Sequence, residues 1–355
     1  MSDVEKSFTT EKYVVSHSVR EEQDGWRLDQ FVMKCMPTLS REFLKKKIDK
    51  GEVEISGRKP PHKPSVKVHS GERITITTHN DGMIEDEYWH GEIVPKTEQP
   101  SVIFEDEGLL AVNKPPYMIT HPAGKNLFYC ATVFFETIHK KTIHSIHRLD
   151  RETSGVLLLG KNPKTSQQVS LLFEEDKVRK CYFFIARKNP GAASFPFTAK
   201  ERLGRKENAI PESMMFSFPE NSEDGKESET HFECLLDKNG FVLALAFPLS
   251  GRQHQIRVHA ATHGYPLLGD KLYNGDPTVF IRFKENEATD SDHDLMQIPR
   301  QALHAAALKI LYKNKPTHFI APLPKDLSFW LEKNLGLTFK EVEELMEKRI
   351  LEFLS

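Results

Sequence analysis

His147-Arg148-Leu149-Asp150-Arg151-Glu152-Thr153-Ser154-Gly155 sets a carboxylate between two guanidinium groups and runs straight into the aliphatic stretch Val156-Leu157-Leu158-Leu159. A charged loop feeding an uninterrupted apolar segment reads as a site mounted on the edge of a buried strand. The group placed to do chemistry there is Asp150. The same residues admit a structural account, in which Arg148 and Arg151 pair with surface acids and Asp150 caps a turn made by Thr153, Ser154 and Gly155. On spacing alone that account is the commoner one.

Two further segments carry side chains such a site would need. Lys180-Cys181-Tyr182-Phe183-Phe184-Ile185 reads as an aromatic strand with Tyr182 near its beginning, although most tyrosines in such strands are core or rim residues. Ser250-Gly251-Arg252-Gln253-His254-Gln255-Ile256-Arg257-Val258-His259 leads into a short helix stopped by Gly264. Arg257 falls one turn after Gln253 and His254, on a face able to meet the Asp150 loop.

The elements that must hold these residues are both helical and extended, which gives an α+β class. Val102 to Phe104 and Leu109 to Val112 form a hairpin pattern, and Asn162-Pro163 opens a helix with its buried stripe at Val169, Leu172 and Phe173. Residues 303–311 are a core element whose alanines favour a helix and whose length suits a strand. Residues 221–229 and 285–294 are charged insertions, the second carrying five acids and expected as an exposed loop. Thr338 and Glu341 form a capping box for a terminal helix with Val342, Leu345, Met346, Ile350, Phe353 and Leu354 on one stripe.

At 355 residues and 38% hydrophobic composition, the chain holds one sizeable core and a smaller module. No apolar run is long enough to cross a membrane, no basic and apolar leader opens the chain, and the four cysteines lie far apart. The expectation is a soluble, cytoplasmic monomer with reduced thiols and no metal, the sixteen histidines forming no ligand spacing. A formal net charge of −2 hides a basic segment: residues 41–73 carry ten Lys or Arg against five acids. That local excess is the footprint of phosphate contact.

The boundaries read as a mobile leader over 1–25, a small module over 26–78, a linker over 79–100, a large domain over 101–335 and a terminal helix over 336–355. In the module, helices run from Leu28 to Met36, ending at Pro37, and from the cap Ser40 to Ile48. Short strands follow at 53–55, 66–68 and 74–77. Lys45, Lys46 and Lys47 are consecutive, so they cannot all face the core; with Arg41, Arg58, Lys59 and Lys63 they suggest an RNA-binding face or merely a solvated one.

The module resembles the S4 RNA-binding domain through Arg27-Leu28-Asp29, Ser40-Arg41, Gly51-Glu52-Val53 and Gly71-Glu72. Three segments together, His147 to Gly155, Lys180-Cys181-Tyr182, and Gly251 to His259 followed by Gly264-Tyr265-Pro266-Leu267-Leu268-Gly269-Asp270, resemble the RluA family of pseudouridine synthases. That resemblance implies a catalytic domain with a mixed, mainly antiparallel sheet, flanking helices and a central cleft, plus the small S4-like α/β module. It implies conversion of uridine in RNA to pseudouridine without a cofactor, the base being detached from C1′, turned and rejoined through C5.

It also implies Asp150 as the catalytic carboxylate, Tyr182 as the ring against the flipped base, and Arg257 as the partner of Asp150. Arg148, beside the carboxylate, would contact the phosphate or fill the vacated stack, Arg252 and His254 are further RNA contacts, and the charge of the module adds Arg41, Lys45, Lys46 and Arg58. The family carries a glycine soon after its Lys-Pro pair, where this chain has Lys114-Pro115-Pro116-Tyr117. An S4 module favours large-subunit ribosomal RNA over transfer RNA. Competing readings are a catalytically decayed RNA-binding or ribosome-assembly factor, and a hydrolase pairing Asp150 with His147 or His254.

Overall fold

The computed structural model describes residues 4–8, 11–36, 41–80, 87–96, 98–123 and 128–355. They fall into two compact units, one of residues 1–85 with 121–143 and the other of 86–120 with 144–355. The first unit contains β1 (Val4–Phe8), β2 (Lys12–Ser18), α1 (Leu28–Cys35), α2 (Arg41–Asp49), β3 (Val53–Ile55), β4 (Arg73–His79) and α3 (Ala131–His139). Its antiparallel sheet runs β1-β2-β4-β3, and Leu28, Phe31, Val32, Leu44 and Ile48 pack on the same core as Tyr13, Val15, Ile74 and Ile76.

Three expectations change here. Residues 4–8 and 12–18, read as a mobile leader, are paired strands, β2 lying against β4 from Lys12↔His79 to Ser18↔Arg73. The chain-local pattern is nearly polar because only Tyr13 and Val15 of β2 turn inward, and the partner strand lies some sixty residues on. The module also takes in a later segment, since Phe128 sits in its core. Residues 66–68 form no strand beyond the single bridge Arg27↔Lys67, and the Pro37 and Ser40 signals lie outside the described residues.

The second unit opens with a hairpin, β5 (Tyr88–Trp89) and β6 (Glu92–Ile93), inside the stretch expected as a linker. There follow β7 (Ser101–Glu105), β8 (Leu109–Lys114), β9 (His144–Ser145), β10 (Ser154–Gly160), α4 (Pro163–Glu174), β11 (Arg179–Arg187), β12 (Phe197–Ala199), β13 (Arg202–Gly204) and β14 (Phe216–Phe218). The chain ends with β15 (Thr230–Lys238), β16 (Phe241–Pro248), α5 (Gln255–Thr262), α6 (Thr278–Lys284), α7 (Asp290–Met296), β17 (Leu303–Tyr312), β18 (Lys315–Ile320), α8 (Lys325–Leu335) and α9 (Phe339–Leu354).

The main sheet has ten strands in the order β12-β15-β16-β11-β17-β10-β8-β7, with β18 on β17 and β9 on β10. Its pairings are antiparallel except β10 with β17, so the sheet is mixed and mainly antiparallel. Alternation along β11 divides the core. Cys181, Phe183 and Ile185 face the layer of α8 and α9, built from Leu327, Trp330, Leu331, Val342, Met346 and Ile350. Tyr182, Phe184 and Ala186 face the other way, toward Ile256 and Ala260 of α5.

Residues 303–311 resolve as β17, whose first residues are buried on both faces, which is why small alanines are accommodated there. Part of the acidic insertion is the helix α7, capped by a Thr289–Asp292 box, where a loop was expected. Among the described residues no helix is long and apolar enough to cross a membrane.

Gly155 sits where β10 meets β17 with φ +110, and a Cβ there would lie 2.2 Å from the carbonyl oxygen of Ala305. Only glycine fits, so Gly155→Ala is expected to lower unfolding free energy by on the order of 3 kcal/mol in urea titrations; a change below about 0.5 kcal/mol would contradict the packing.

Candidate active site

The loop before β10 is anchored at nearly every position. His147 accepts a hydrogen bond from the Leu158 amide at Nε2 (2.9 Å) and stacks on Phe173, and burial brings its pKa down to about 3. The Leu149 amide donates to Thr120 Oγ1, Glu152 pairs with Lys271 at 3.1 Å and accepts from the Gln301 amide, and Thr153 Oγ1 accepts from Gln301 Nε2. Arg151 pairs with Glu87, and Ser154 Oγ contacts His304. Lys114, wholly buried, donates to the carbonyls of Pro115, Met118 and Arg151. Arg148, Leu149, Asp150 and Thr153 line a cleft enclosing about 100 Å³, to which Lys180, Tyr182, Arg252, His254, Ile256 and Arg257 also contribute.

Asp150 Oδ2 accepts from Arg257 Nη1 at 3.2 Å. The other edge of the same guanidinium, Nε and Nη2, donates to both oxygens of Asp270 at 2.7 and 2.8 Å. Asp270 is fully buried and also accepts from the amides of Leu272 and Tyr273. Burial alone would push the Asp150 pKa up, but the charge of His254 when protonated and the permanent charge of Arg257 bring it below the ordinary carboxylate range, and at neutral pH Arg257 is the charge that keeps Asp150 ionised. A planar, permanently charged guanidinium suits this double duty, because its two faces of donors are fixed relative to each other.

Tyr182 enters the cleft just past a bulge in β11, where the register against β17 shifts between Cys181 and Tyr182. Burial and the Asp150 charge raise its pKa, so the phenol stays neutral. Lys180, at the start of the same strand, donates to the Ser250 carbonyl at 2.8 Å and ties β11 to the 250–252 loop. Arg252 is exposed at the cleft and its Nε donates to the Glu227 carbonyl.

Asp150, Tyr182 and Arg257 therefore line one cleft, together with Arg148, Arg252 and His254. His147 does not line it and its imidazole is committed to β10, which removes it as a base for Asp150. On the first unit, Lys45 is exposed, Lys46 pairs with Glu42 at 3.2 Å, and Arg41 lies 4.0 Å from Asp29. Arg58 is committed to Glu72 and the Lys67 carbonyl, and Lys47 is buried on Glu52 and the Thr77 carbonyl. Sequence reading missed Asp270 and Tyr273. A buried arginine in a short helix has two edges of donors, and one aspartate occupies only one of them, which is the signal that calls for a second acid.

The chain is 30% identical over 318 residues to a ribosomal large subunit pseudouridine synthase D of Buchnera aphidicola, covering 85% of this chain and 92% of that one. It belongs to the RluA-type RNA pseudouridine synthases. The family profile for RNA pseudouridylate synthase matches residues 108–262, which span the Asp150 loop, Tyr182 and Arg257. A protein of Haemophilus influenzae with the same name as the Buchnera one is 29% identical over 88% of this chain and 92% of its own length. An uncharacterised RNA pseudouridine synthase of Chlorobaculum parvum is 29% identical over 89% and 96%. The chain is thus an enzyme that isomerises uridine in RNA. In the position where the family carries glycine, Tyr117 adopts φ +64, the left-handed conformation glycine favours, and its ring is buried.

Burial lowers the Lys180 pKa to about 8. Its charge at the cleft wall is present below that pH and is lost as pH rises through it. RNA affinity should therefore fall above about pH 8 in binding titrations, and Lys180→Arg should move the fall upward by more than about one pH unit. An unshifted profile in that variant would show that another group titrates.

Proposed function

We propose that this synthase acts on uridine in large-subunit ribosomal RNA, with Asp150 as the reacting carboxylate. The observation that carries the catalytic reading is the bond from Arg257 Nη1 to Asp150 Oδ2 inside the cleft that Tyr182 also lines. The target nucleotide is extruded from its helix and enters the cleft, where Tyr182 stacks on the base. Asp150, charged and directed by Arg257, acts on the nucleoside as the N1–C1′ bond breaks. The base turns and rejoins through C5, and the C5 proton is released. Arg148 and Arg252 at the cleft contact the flanking phosphates.

The choice of ribosomal over transfer RNA is supported by the names of relatives that span nearly the whole chain. It also draws on the module of residues 26–78, read as S4-like, with Arg41, Lys45 and Lys46 on the exposed face of α2. Arg58 contributes to that module's fold through Glu72 as well as to its charge.

Asp150→Asn removes the charge and keeps the shape. It should abolish pseudouridine formation in carbodiimide mapping of ribosomal RNA, with RNA affinity retained within a small factor; full activity would overturn the role of Asp150. Restoration of the missing pseudouridines in transfer RNA only, on re-expression in cells lacking the protein, would overturn the choice of RNA. Replacing Lys45 and Lys46 by Gln should weaken binding and reduce the slope of log affinity against log salt by about one per lost phosphate contact, leaving the single-turnover rate intact.

A further inference from the structure

His254 occupies a costly position. It immediately precedes α5 with φ +57 and ψ +16, a left-handed conformation that a histidine adopts only at some energetic cost, and its side chain is 9% exposed against the cleft. Nε2 lies 3.9 Å from Asp150 Oδ2, too far for a hydrogen bond and near enough that an atom of bound substrate reaching Asp150 lies beside it. Nδ1 lies 2.8 Å from the hydroxyl of Tyr273.

That hydroxyl decides where the imidazole carries its proton. Tyr273 Oη accepts from the Met215 amide at 2.8 Å, and a neutral phenol has a single proton of its own to give. Burial raises the Tyr273 pKa, so the phenol keeps that proton, and burial with the Arg257 charge lowers the His254 pKa to about 4, so the ring is neutral at pH 7. Among the described residues the acceptor facing the phenol proton is His254 Nδ1. With Nδ1 accepting, Nε2 carries the hydrogen and presents it to the cleft. The Tyr273 ring is itself held by the Arg257 guanidinium, 5.0 Å from its centroid.

We infer that His254 is a neutral N–H donor to a carbonyl oxygen of the uracil as it separates from the ribose, and that Tyr273 is the positioning residue that fixes its tautomer. This rests on the reading of the cleft as the isomerisation site. When the N1–C1′ bond breaks, its electron pair leaves with N1 and spreads onto O2 and O4. A fixed donor at one of those oxygens interacts more strongly with the departing base than with the bound nucleoside, which is the condition for accelerating the step. No proton changes hands. His254 stays neutral throughout, and the same assistance applies whichever atom Asp150 engages first.

The test uses the full-length protein and large-subunit ribosomal RNA from cells lacking it. In the free enzyme, ¹⁵N histidine NMR should show His254 protonated at Nε2 and bare at Nδ1, and Tyr273→Phe should release it to a mixture of tautomers. His254→Leu should lower the single-turnover rate by about 10²- to 10³-fold with RNA affinity changed less than about threefold, while His254→Gln, whose amide can donate from nearly the same place, recovers most of the rate. A proton on Nδ1 in the wild type would overturn the inference, as would a His254→Leu rate near wild type. A loss confined to RNA affinity would do the same and make His254 a binding contact only. Failure of the wild-type chain to isomerise any uridine would overturn the functional reading instead, and the NMR result would stand apart from it.

Discussion

One guanidinium shared by two carboxylates organises this enzyme. Arg257 is almost wholly buried, and a buried charge left unpaired costs several kcal/mol, so its counter-charge has to be built into the fold. Asp270 supplies that charge and takes the bidentate edge, which leaves a single donor for Asp150. The division of labour matters for reactivity. A carboxylate gripped on both oxygens is held in its ground state, whereas a single guanidinium donor on Oδ2 favours the ionised form of Asp150 without clamping both of its oxygens.

The surrounding architecture exists to keep that geometry still. The loop that carries Asp150 is pinned from both sides, by Lys114 reaching the carbonyl of Arg151 and by Gln301 holding Glu152 and Thr153. The parallel contact of β10 with β17 at Gly155 fixes where the loop enters the sheet. On the far side of β11, α8 and α9 complete the core, so that face is given to stability and the face toward α5 is left for the site. Side chains locked by packing and neighbouring hydrogen bonds lower the cost of ordering at the moment of reaction.

The candidate site was legible because its residues lie in three short runs that together resemble one family. Taken singly, an Asp among arginines before an aliphatic strand, a Tyr opening an aromatic strand and an Arg in a short helix read as ordinary structural residues; it is the resemblance carried by the three runs together that singles them out, and the fold places them in one cleft. Asp270 and Tyr273 were not read as site residues, since a Gly-Asp turn and a lone tyrosine look like ordinary loop chemistry until the helix opposite shows what they face. The left-handed backbone of His254 leaves no trace in residue type at all. In the fold, local periodicity revealed α1, α2, α4, α5 and α9, each with a clear apolar stripe or cap. It failed for β1 and β2, whose partners are distant in sequence, and for β17, where burial on both faces erases the alternation. The withdrawal of Phe128 into the first unit is likewise a long-range packing event, which no window of neighbouring residues encodes.

The claim on which the rest depends is that Asp150 carries its negative charge inside the cleft because Arg257 is there to hold it. A ¹³C carboxyl titration of Asp150 in the folded protein tests this directly. The account predicts a midpoint below the ordinary aspartate value of about 3.9. A midpoint above about 5 would mean that burial outweighs the guanidinium, and a neutral Asp150 would contradict the site as described.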